Sequence, residues 1–122
     1  MVLSASLLAA AGCHRAHDAA RDIRVETTLQ PEPVRVGNAT ITLRIADGQA
    51  NPVRGAQVQI EGDMAHPGMA PVFHDAQPLG PGSYAGTMKF DMPGDWVLLE
   101  HIRLTDGRRI ERQVAVNGVA AQ

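Results

Sequence analysis

The fold is decided by the stretch ATITLRI at residues 39–45, in which apolar and polar side chains alternate without a break. Successive side chains of a β-strand point to opposite faces, so this pattern predicts a strand with one buried face and one solvated face. The same period of two recurs upstream at residues 23–29 and downstream at residues 56–61. Asp47-Gly48 and Asn51-Pro52 lie between residues 39–45 and residues 56–61, and both pairs are typical of turns.

Short apolar segments continue along the rest of the chain, at residues 72–76, 84–90, 96–105 and 110–116. The weak alternation of residues 96–105 predicts a strand covered on both faces, and Asp106-Gly107 after it is typical of a β-hairpin. Residues 78–82, PLGPG, are predicted to form a turn, whereas residues 62–71 fit neither period. The sequence therefore predicts an all-β domain, an antiparallel β-sandwich of about seven strands.

Composition narrows the classes of function. The chain has 122 residues, which is typical of one domain, and 44% of them are hydrophobic, enough for a packed core. Its net charge of −2 lacks the basic excess of nucleic-acid-binding proteins, so we expect no nucleic acid partner. A single cysteine excludes an internal disulfide framework and zinc sites built from several thiolates.

The N-terminus has the pattern of an export signal. Residues 2–12 are apolar or small and uncharged, too few to span a membrane, and they lead directly into Cys13. This arrangement resembles a bacterial lipoprotein signal, which implies that Cys13 is acylated and becomes the mature N-terminus. We therefore expect a signal peptide at residues 1–12, a polar tether at 13–22 and the domain at 23–118. The alternative is an ordinary apolar N-terminus with a free thiol.

The aperiodic loop carries the best candidate for a metal site. Met64, His66 and Met69 fall within six residues, and Pro67-Gly68 favours a chain reversal between the last two of them. Thioethers are soft neutral donors that suit Cu(I), or its analogue Ag(I), better than zinc or magnesium, and an imidazole adds a stronger donor. We expect these three side chains to bind Cu(I). The alternative is that the two methionines fold over the core and the histidine is a surface residue.

Two further methionines flank an aromatic residue. Met88 and Met92 share strand parity with Tyr84 and Phe90, so we interpret both primarily as core residues. Met92 is also a candidate fourth donor to the metal.

Signals for other chemistry are weak. A blue-copper centre needs a cysteine thiolate, and Cys13 belongs to the signal region. Ser83 with His74 or His101 lacks the spacing and the glycine pattern of a nucleophile elbow. We predict no enzymatic activity, and we expect His101, in the middle of a strand, to be structural.

A longer segment, GSYAGTMKFDMPGDWVL at residues 82–98, resembles the YtkA-like domain family and, through it, the FixH-like proteins. The family pattern has a Gly-x-Tyr start and an aromatic-x-Met-x-Gly-x-Trp segment, matched here by Gly82, Tyr84, Phe90, Met92, Gly94 and Trp96. The Met- and His-bearing loop upstream also fits. The resemblance implies an immunoglobulin-like β-sandwich in the periplasm, in a family found beside copper transport and terminal-oxidase assembly systems.

The sequence thus leads to one main hypothesis and two alternatives. We expect a periplasmic, membrane-anchored lipoprotein that binds Cu(I) for delivery, buffering or tolerance, with the membrane and a protein of copper transport or oxidase assembly as partners. One alternative is a metal-free interaction module that uses the same loop as an apolar contact patch or pairs through an edge strand. The other is a hydrolase built on Ser83.

Overall fold

The computed structural model describes residues 22–121. Seven β-strands account for its regular structure, and they are β1 (Arg24–Gln30), β2 (Gly37–Ala46), β3 (Gln57–Met64), β4 (Val72–Gly80), β5 (Ser83–Phe90), β6 (Gly94–Arg103) and β7 (Arg109–Val119). Within these residues, no helix has the length and hydropathy needed to cross a membrane.

The seven strands form one antiparallel sheet in the order β1-β2-β5-β4-β3-β6-β7, and this sheet folds over into two layers. Strand β4 takes part in both layers. Its first half, from Val72 to Ala76, pairs with β3, and its second half, from Gln77 to Gly80, pairs with β5. One side of the sandwich is therefore closed by a continuous strand.

The other side is closed by the connection between β1 and β2. The backbone N–H of Val36 donates to the carbonyl of Ala120 at 2.8 Å, and the N–H of Ala120 donates to the carbonyl of Val34 at 3.1 Å. This short parallel pairing ties the first loop to the end of β7. The prediction of an all-β, immunoglobulin-like antiparallel sandwich of seven strands is confirmed.

The core lies between the two layers and is mainly aliphatic. In β2, the alternation of residues 39–45 puts Ala39, Ile41, Leu43 and Ile45 inside, where each is at most 1% exposed. Two of the four aromatic residues pack together, and the rings of Phe90 and Trp96 meet edge to face with centroids 5.1 Å apart.

Two strands extend beyond their predicted limits. Residues 62–64, predicted as loop, complete β3, and the predicted turn at 78–82 is only Pro81-Gly82 because β4 continues to Gly80. Gly62 explains the first error. It is buried, and a Cβ at this position would lie 2.7 Å from the sulfur of Met88, so the strand needs a residue that carries no apolar signal.

Strand β6 also differs from its prediction. Trp96, Leu98, Glu100 and Ile102 are buried, whereas the side chains between them are partly exposed, so the strand is not covered equally on both faces. The hairpin predicted at Asp106-Gly107 is present between β6 and β7.

The connections divide between two ends of the sandwich. We call the end with residues 22–24, 47–56, 81–82 and 104–108 the proximal end, because the described chain begins there. The distal end carries the loops at residues 31–36, 65–71 and 91–93.

Candidate metal site

The four predicted metal ligands all lie at the distal end, on two neighbouring connections. Met64 is the last residue of β3 and is paired in register with Trp96 of β6. The backbone N–H of Ala65 then donates to the carbonyl of Asp95 at 3.2 Å. These contacts place the start of the β3–β4 loop next to the β5–β6 loop. The first loop carries His66 and Met69, and the second carries Met92.

Met64 forms the inner part of this region. Its side chain is partly buried and packs against the hydrophobic core. Gly94 lies next to it, since a Cβ built there would be 3.6 Å from the Met64 methyl carbon. The φ angle of Gly94 is +121°, which L side chains rarely adopt. The glycine of the aromatic-x-Met-x-Gly-x-Trp segment thus allows β6 to begin close to Met64.

The other three candidate ligands are exposed. His66 lies on the surface, and Met69 and Met92 each expose 40% of their area. The interpretation of Met92 as a core residue is therefore wrong, because β5 ends at Phe90 and the alternation does not continue into the turn. Met88 is fully buried, as predicted.

The backbone around Met92 is held by the single tryptophan. The indole Nε1–H of Trp96 donates to the carbonyl of Met92 at 3.0 Å, while the Trp96 ring itself is 2% exposed. A buried side chain thus fixes the peptide that carries an exposed thioether. From the sequence, Trp96 could be recognised only as part of a motif. Its hydrogen bond to a backbone carbonyl leaves no periodic pattern in the sequence.

The distal end is rich in carboxylates. Four acidic residues lie in or beside its loops, namely Glu32, Asp63, Asp91 and Asp95, whereas the basic residues there are Arg35 and Lys89. Burial raises the pKa of Asp63, the negative charge of Glu61 adds to this effect, and His101 opposes it. No three side chains of His, Cys, Asp or Glu between residues 22 and 121 are grouped so that they could hold a metal ion. A site at this end would therefore depend on the thioethers.

His101 lies outside this region, on the outer face of β6. Its Nε2 is 3.2 Å from Glu61 Oε2, and its Nδ1 is 3.0 Å from Glu111 Oε1. Burial favours the neutral ring, but the hydrogen bonds to the two carboxylates outweigh burial and raise the pKa of His101. Its cross-strand ion pairs fit the expected structural role.

Neither of two surface grooves formed by the described residues is lined by the four candidate ligands. One groove, of about 660 Å³, runs over the outer face of β3, β4, β6 and β7, and the other, of about 420 Å³, lies between β1 and β7. Because His66, Met69 and Met92 are exposed, the candidate metal site is an open surface region.

A buried carboxyl group lies in β6 at a position that was not predicted from the sequence. Glu100 is fully buried and accepts a hydrogen bond of 2.5 Å from the Thr27 hydroxyl, while its Oε1 has no partner among the described residues. Burial raises the pKa of Glu100, and the bond from Thr27 and the charge of Arg112 oppose this rise. Its parity with Trp96 and Leu98 is the signal that could have located it.

The Gly-x-Tyr motif has a structural explanation at the proximal end. The Tyr84 hydroxyl accepts from the Ala56 N–H at 3.0 Å and donates to the Val53 carbonyl at 2.8 Å. Gly82 has φ +71°, and a Cβ there would lie 2.7 Å from the Ile45 carbonyl oxygen. Both positions therefore hold the β2–β3 connection against the start of β5.

Comparison with known proteins places the chain in a family. A search of curated protein sequences finds no match to it. The family model described as YtkA-like matches residues 17–99, which extends from before β1 into β6 and leaves β7 outside. The match includes both loops of the candidate site and the motif from Gly82 to Trp96. The chain is a member of the YtkA-like family.

Proposed function

We propose that this protein is an exported lipoprotein that binds Cu(I) through Met64, His66, Met69 and Met92, for delivery, buffering or tolerance of copper. The observation that carries the proposal is the placement of three thioethers and one imidazole on two adjoining connections of the distal end. Met69 and Met92 each expose 40% of their area, so both side chains are accessible to an ion from solution.

The donor set favours a soft ion of low coordination number. Thioether sulfur prefers Cu(I) to hard cations, and the imidazole of His66 adds a borderline donor. All four donors are neutral when they bind, so the ion would keep its positive charge. The carboxylates of the distal end supply a negative field that attracts such a cation without coordinating it.

The same donors fit a binding role better than a catalytic one. Met69, His66 and Met92 are exposed, so an ion held there can pass to a second protein without opening the core. Oxidation to Cu(II) would replace a soft ion with one that prefers nitrogen and oxygen ligands. We therefore propose that the site holds and transfers the ion in its reduced state.

A competitive titration tests the proposal. The chain carrying Cys13→Ser, which removes the free thiol, is titrated with Cu(I) under reductant against a chromogenic chelator. The comparison is a variant with alanine at positions 64, 66 and 69. The control is Met88→Leu, which removes a thioether of the core. We expect one tight equivalent that persists in the control and is lost in the triple variant. Equal affinity in the triple variant and the parent would refute the site.

Silver provides an independent readout. Ag(I) is a redox-stable analogue of Cu(I), and the chain has one tryptophan, whose indole is bonded to the backbone of Met92. Binding at the proposed site should change the emission of Trp96 with a stoichiometry of one. An unchanged emission together with a negative titration would exclude metal binding.

The lipid anchor is tested separately. Cells expressing the full chain are labelled with an alkyne analogue of palmitate, and we expect label in the parent and none in Cys13→Ser. Label that survives in Cys13→Ser would exclude acylation at this residue.

A metal-free interaction module is the second candidate function. Its supporting observation is the exposure of large apolar side chains on the surface, namely Met69 at 40%, Met92 at 40%, Phe73 at 50% and Leu79 at 68%. If this reading holds, Met69→Lys abolishes binding to a membrane-complex partner while neither Cu(I) nor Ag(I) binds. A tight metal equivalent lost in the triple variant would favour the first function.

A further inference from the structure

We propose that the proximal end binds the phosphate groups of anionic lipids, so that the domain stands on the membrane with its distal end pointing away. It rests on the proposed function only in that an acylated Cys13 would bring the domain close to a membrane. It does not require metal binding, and the experiment that tests it uses no metal.

The first observation is an uncompensated pair of arginines. Arg103 of β6 and Arg109 of β7 are directly opposite each other in the register, and both are exposed. Neither guanidinium group has a hydrogen bond or an ion pair with any of residues 22–121. Like charges directly opposite on a sheet destabilise it, and an oxyanion between the two guanidinium groups would remove the repulsion.

The second observation is the surface on which this pair lies. Both arginines line the groove of about 660 Å³, together with the amides of Gln57 and Gln77. Gln57 is paired in register with Arg103, so an amide group lies on the neighbouring strand. Guanidinium and amide N–H groups are the donors that phosphate oxygens accept from most readily. Two acidic residues also line the groove, two register positions further from the arginines: Glu111, which contacts His101, and Asp75, which is paired with Gln59.

The third observation is the charge of the whole proximal end. When the strand residues directly next to its loops are included, the arginines of the proximal end outnumber the acids, with Arg24, Arg54, Arg103, Arg108 and Arg109 against Asp22, Asp47 and Asp106. Two of these acids contact groups within their own loops. Asp47 accepts from the backbone N–H groups of Gln49 and Asn51, each at 2.9 Å, and Asp106 contacts Arg108 at 2.7 Å. The distal end has the opposite balance, so the molecule is electrically polarised along its length.

The fourth observation is where the chain enters the domain. The described chain starts at Asp22 and leads into β1 at the proximal end. Eight residues separate Asp22 from Cys13, and the nine steps from Cys13 to Asp22 span at most about 32 Å when extended. An acylated Cys13 would therefore keep the proximal end close to the headgroups.

Vesicle binding of matched variants tests the inference. The full chain is sedimented with vesicles of phosphatidylcholine containing 30% phosphatidylglycerol, and with vesicles of phosphatidylcholine alone. The test variant is Arg103→Gln with Arg109→Gln. The control is Arg35→Gln with Lys89→Gln, which removes the same charge from the distal end. All variants keep residues 1–21, so any contribution of that segment cancels.

We expect the test variant to lose about fivefold in affinity for anionic vesicles per arginine, and the control to lose less than twofold. The parent should bind the anionic vesicles better than the neutral ones, and the difference should shrink as salt is raised. The Tm of the test variant should equal that of the parent or exceed it slightly, because no contact is removed and the repulsion between the two guanidinium groups is relieved.

Three outcomes would overturn the proposal. Equal losses in the test and control variants would show that net charge, and not this surface, governs binding. Unchanged affinity in the test variant would exclude the arginine pair. Full competition by millimolar inorganic phosphate would assign the arginine pair to free phosphate and refute the lipid surface. None of these outcomes changes the result expected from the Cu(I) titration, so one proposal can fail without the other.

Discussion

Replacing Tyr84 with phenylalanine isolates the two hydrogen bonds that hold the β2–β3 connection. The substitution removes one oxygen atom and leaves the ring in the core, where it is 2% exposed. The Ala56 N–H loses its acceptor at 3.0 Å, and the Val53 carbonyl loses its donor at 2.8 Å. Because the hydroxyl lies in the interior, water has little room to replace it.

The expected loss follows from those two bonds. A typical intramolecular hydrogen bond contributes about 1 kcal/mol net, so we expect the free energy of unfolding to fall by about 2 kcal/mol. In a domain of about 100 residues, 1 kcal/mol shifts the Tm by about 4–8 °C. The Tm of Tyr84→Phe should therefore fall by about 8–16 °C.

Thermal and urea unfolding followed by circular dichroism measure this loss, and amide hydrogen exchange locates it. We expect exchange at Ala56 to accelerate while exchange in β2 and β6 follows global stability. Ser83→Ala is the control, since the neighbouring hydroxyl makes no hydrogen bond with the described residues. A loss below about 0.5 kcal/mol with unchanged exchange at Ala56 would refute the reasoning.

Three further predictions concern the interior and the exposed thioethers. The raised pKa of Glu100 means that the folded state favours its protonated form, so its contribution to stability falls as the pH rises from the unfolded pKa through the folded one. Glu100→Gln should therefore raise the free energy of unfolding more at pH 7 than at pH 4 in urea titrations, and an equal effect at both pH values would contradict this. Gly62→Ala puts a Cβ 2.7 Å from the Met88 sulfur and should cost about 1–2 kcal/mol in thermal unfolding, whereas a neutral effect would show that Met88 moves freely. Mild peroxide should oxidise Met69 and Met92 before Met88, as peptide mass spectrometry can show, and Cu(I) affinity should fall with the first two; affinity that survives their oxidation would count against the thioether site.

The fold could be predicted from the sequence because its layers repeat one simple pattern. Residues 39–45 alternate strictly, and their apolar members are the most buried part of β2. The pattern failed where a strand contains residues without an apolar side chain. Gly62 belongs to β3 because Met88 occupies the space of its missing side chain, and this packing depends on a strand of the other layer.

The candidate site was predictable only as a set of residue types. The spacing of Met64, His66 and Met69 pointed to a loop with soft donors, whereas the contribution of Met92 depends on where β5 ends. Arg112 shows the same limit. Nothing in the local sequence pattern indicates its contact, yet its guanidinium donates to the carbonyl of Val25 on the side of the sandwich where β1 faces β7. Contacts of this kind arise from the folded sheet and not from local periodicity.

The passage of β4 from one layer to the other also affects how this domain behaves when it is crowded. A sandwich of two separate sheets has four edge strands, each of which can recruit a strand from a neighbouring molecule. Here the continuous sheet of residues 22–121 has two edges, β1 and β7, and they face each other on the side of the sandwich opposite β4. Intermolecular sheet growth is thus confined to one side of the domain, where the pairing of Val34 and Val36 with Ala120 already occupies part of the edge. Such confinement would limit association between copies that collide often, as they would in the membrane-anchored state that we propose.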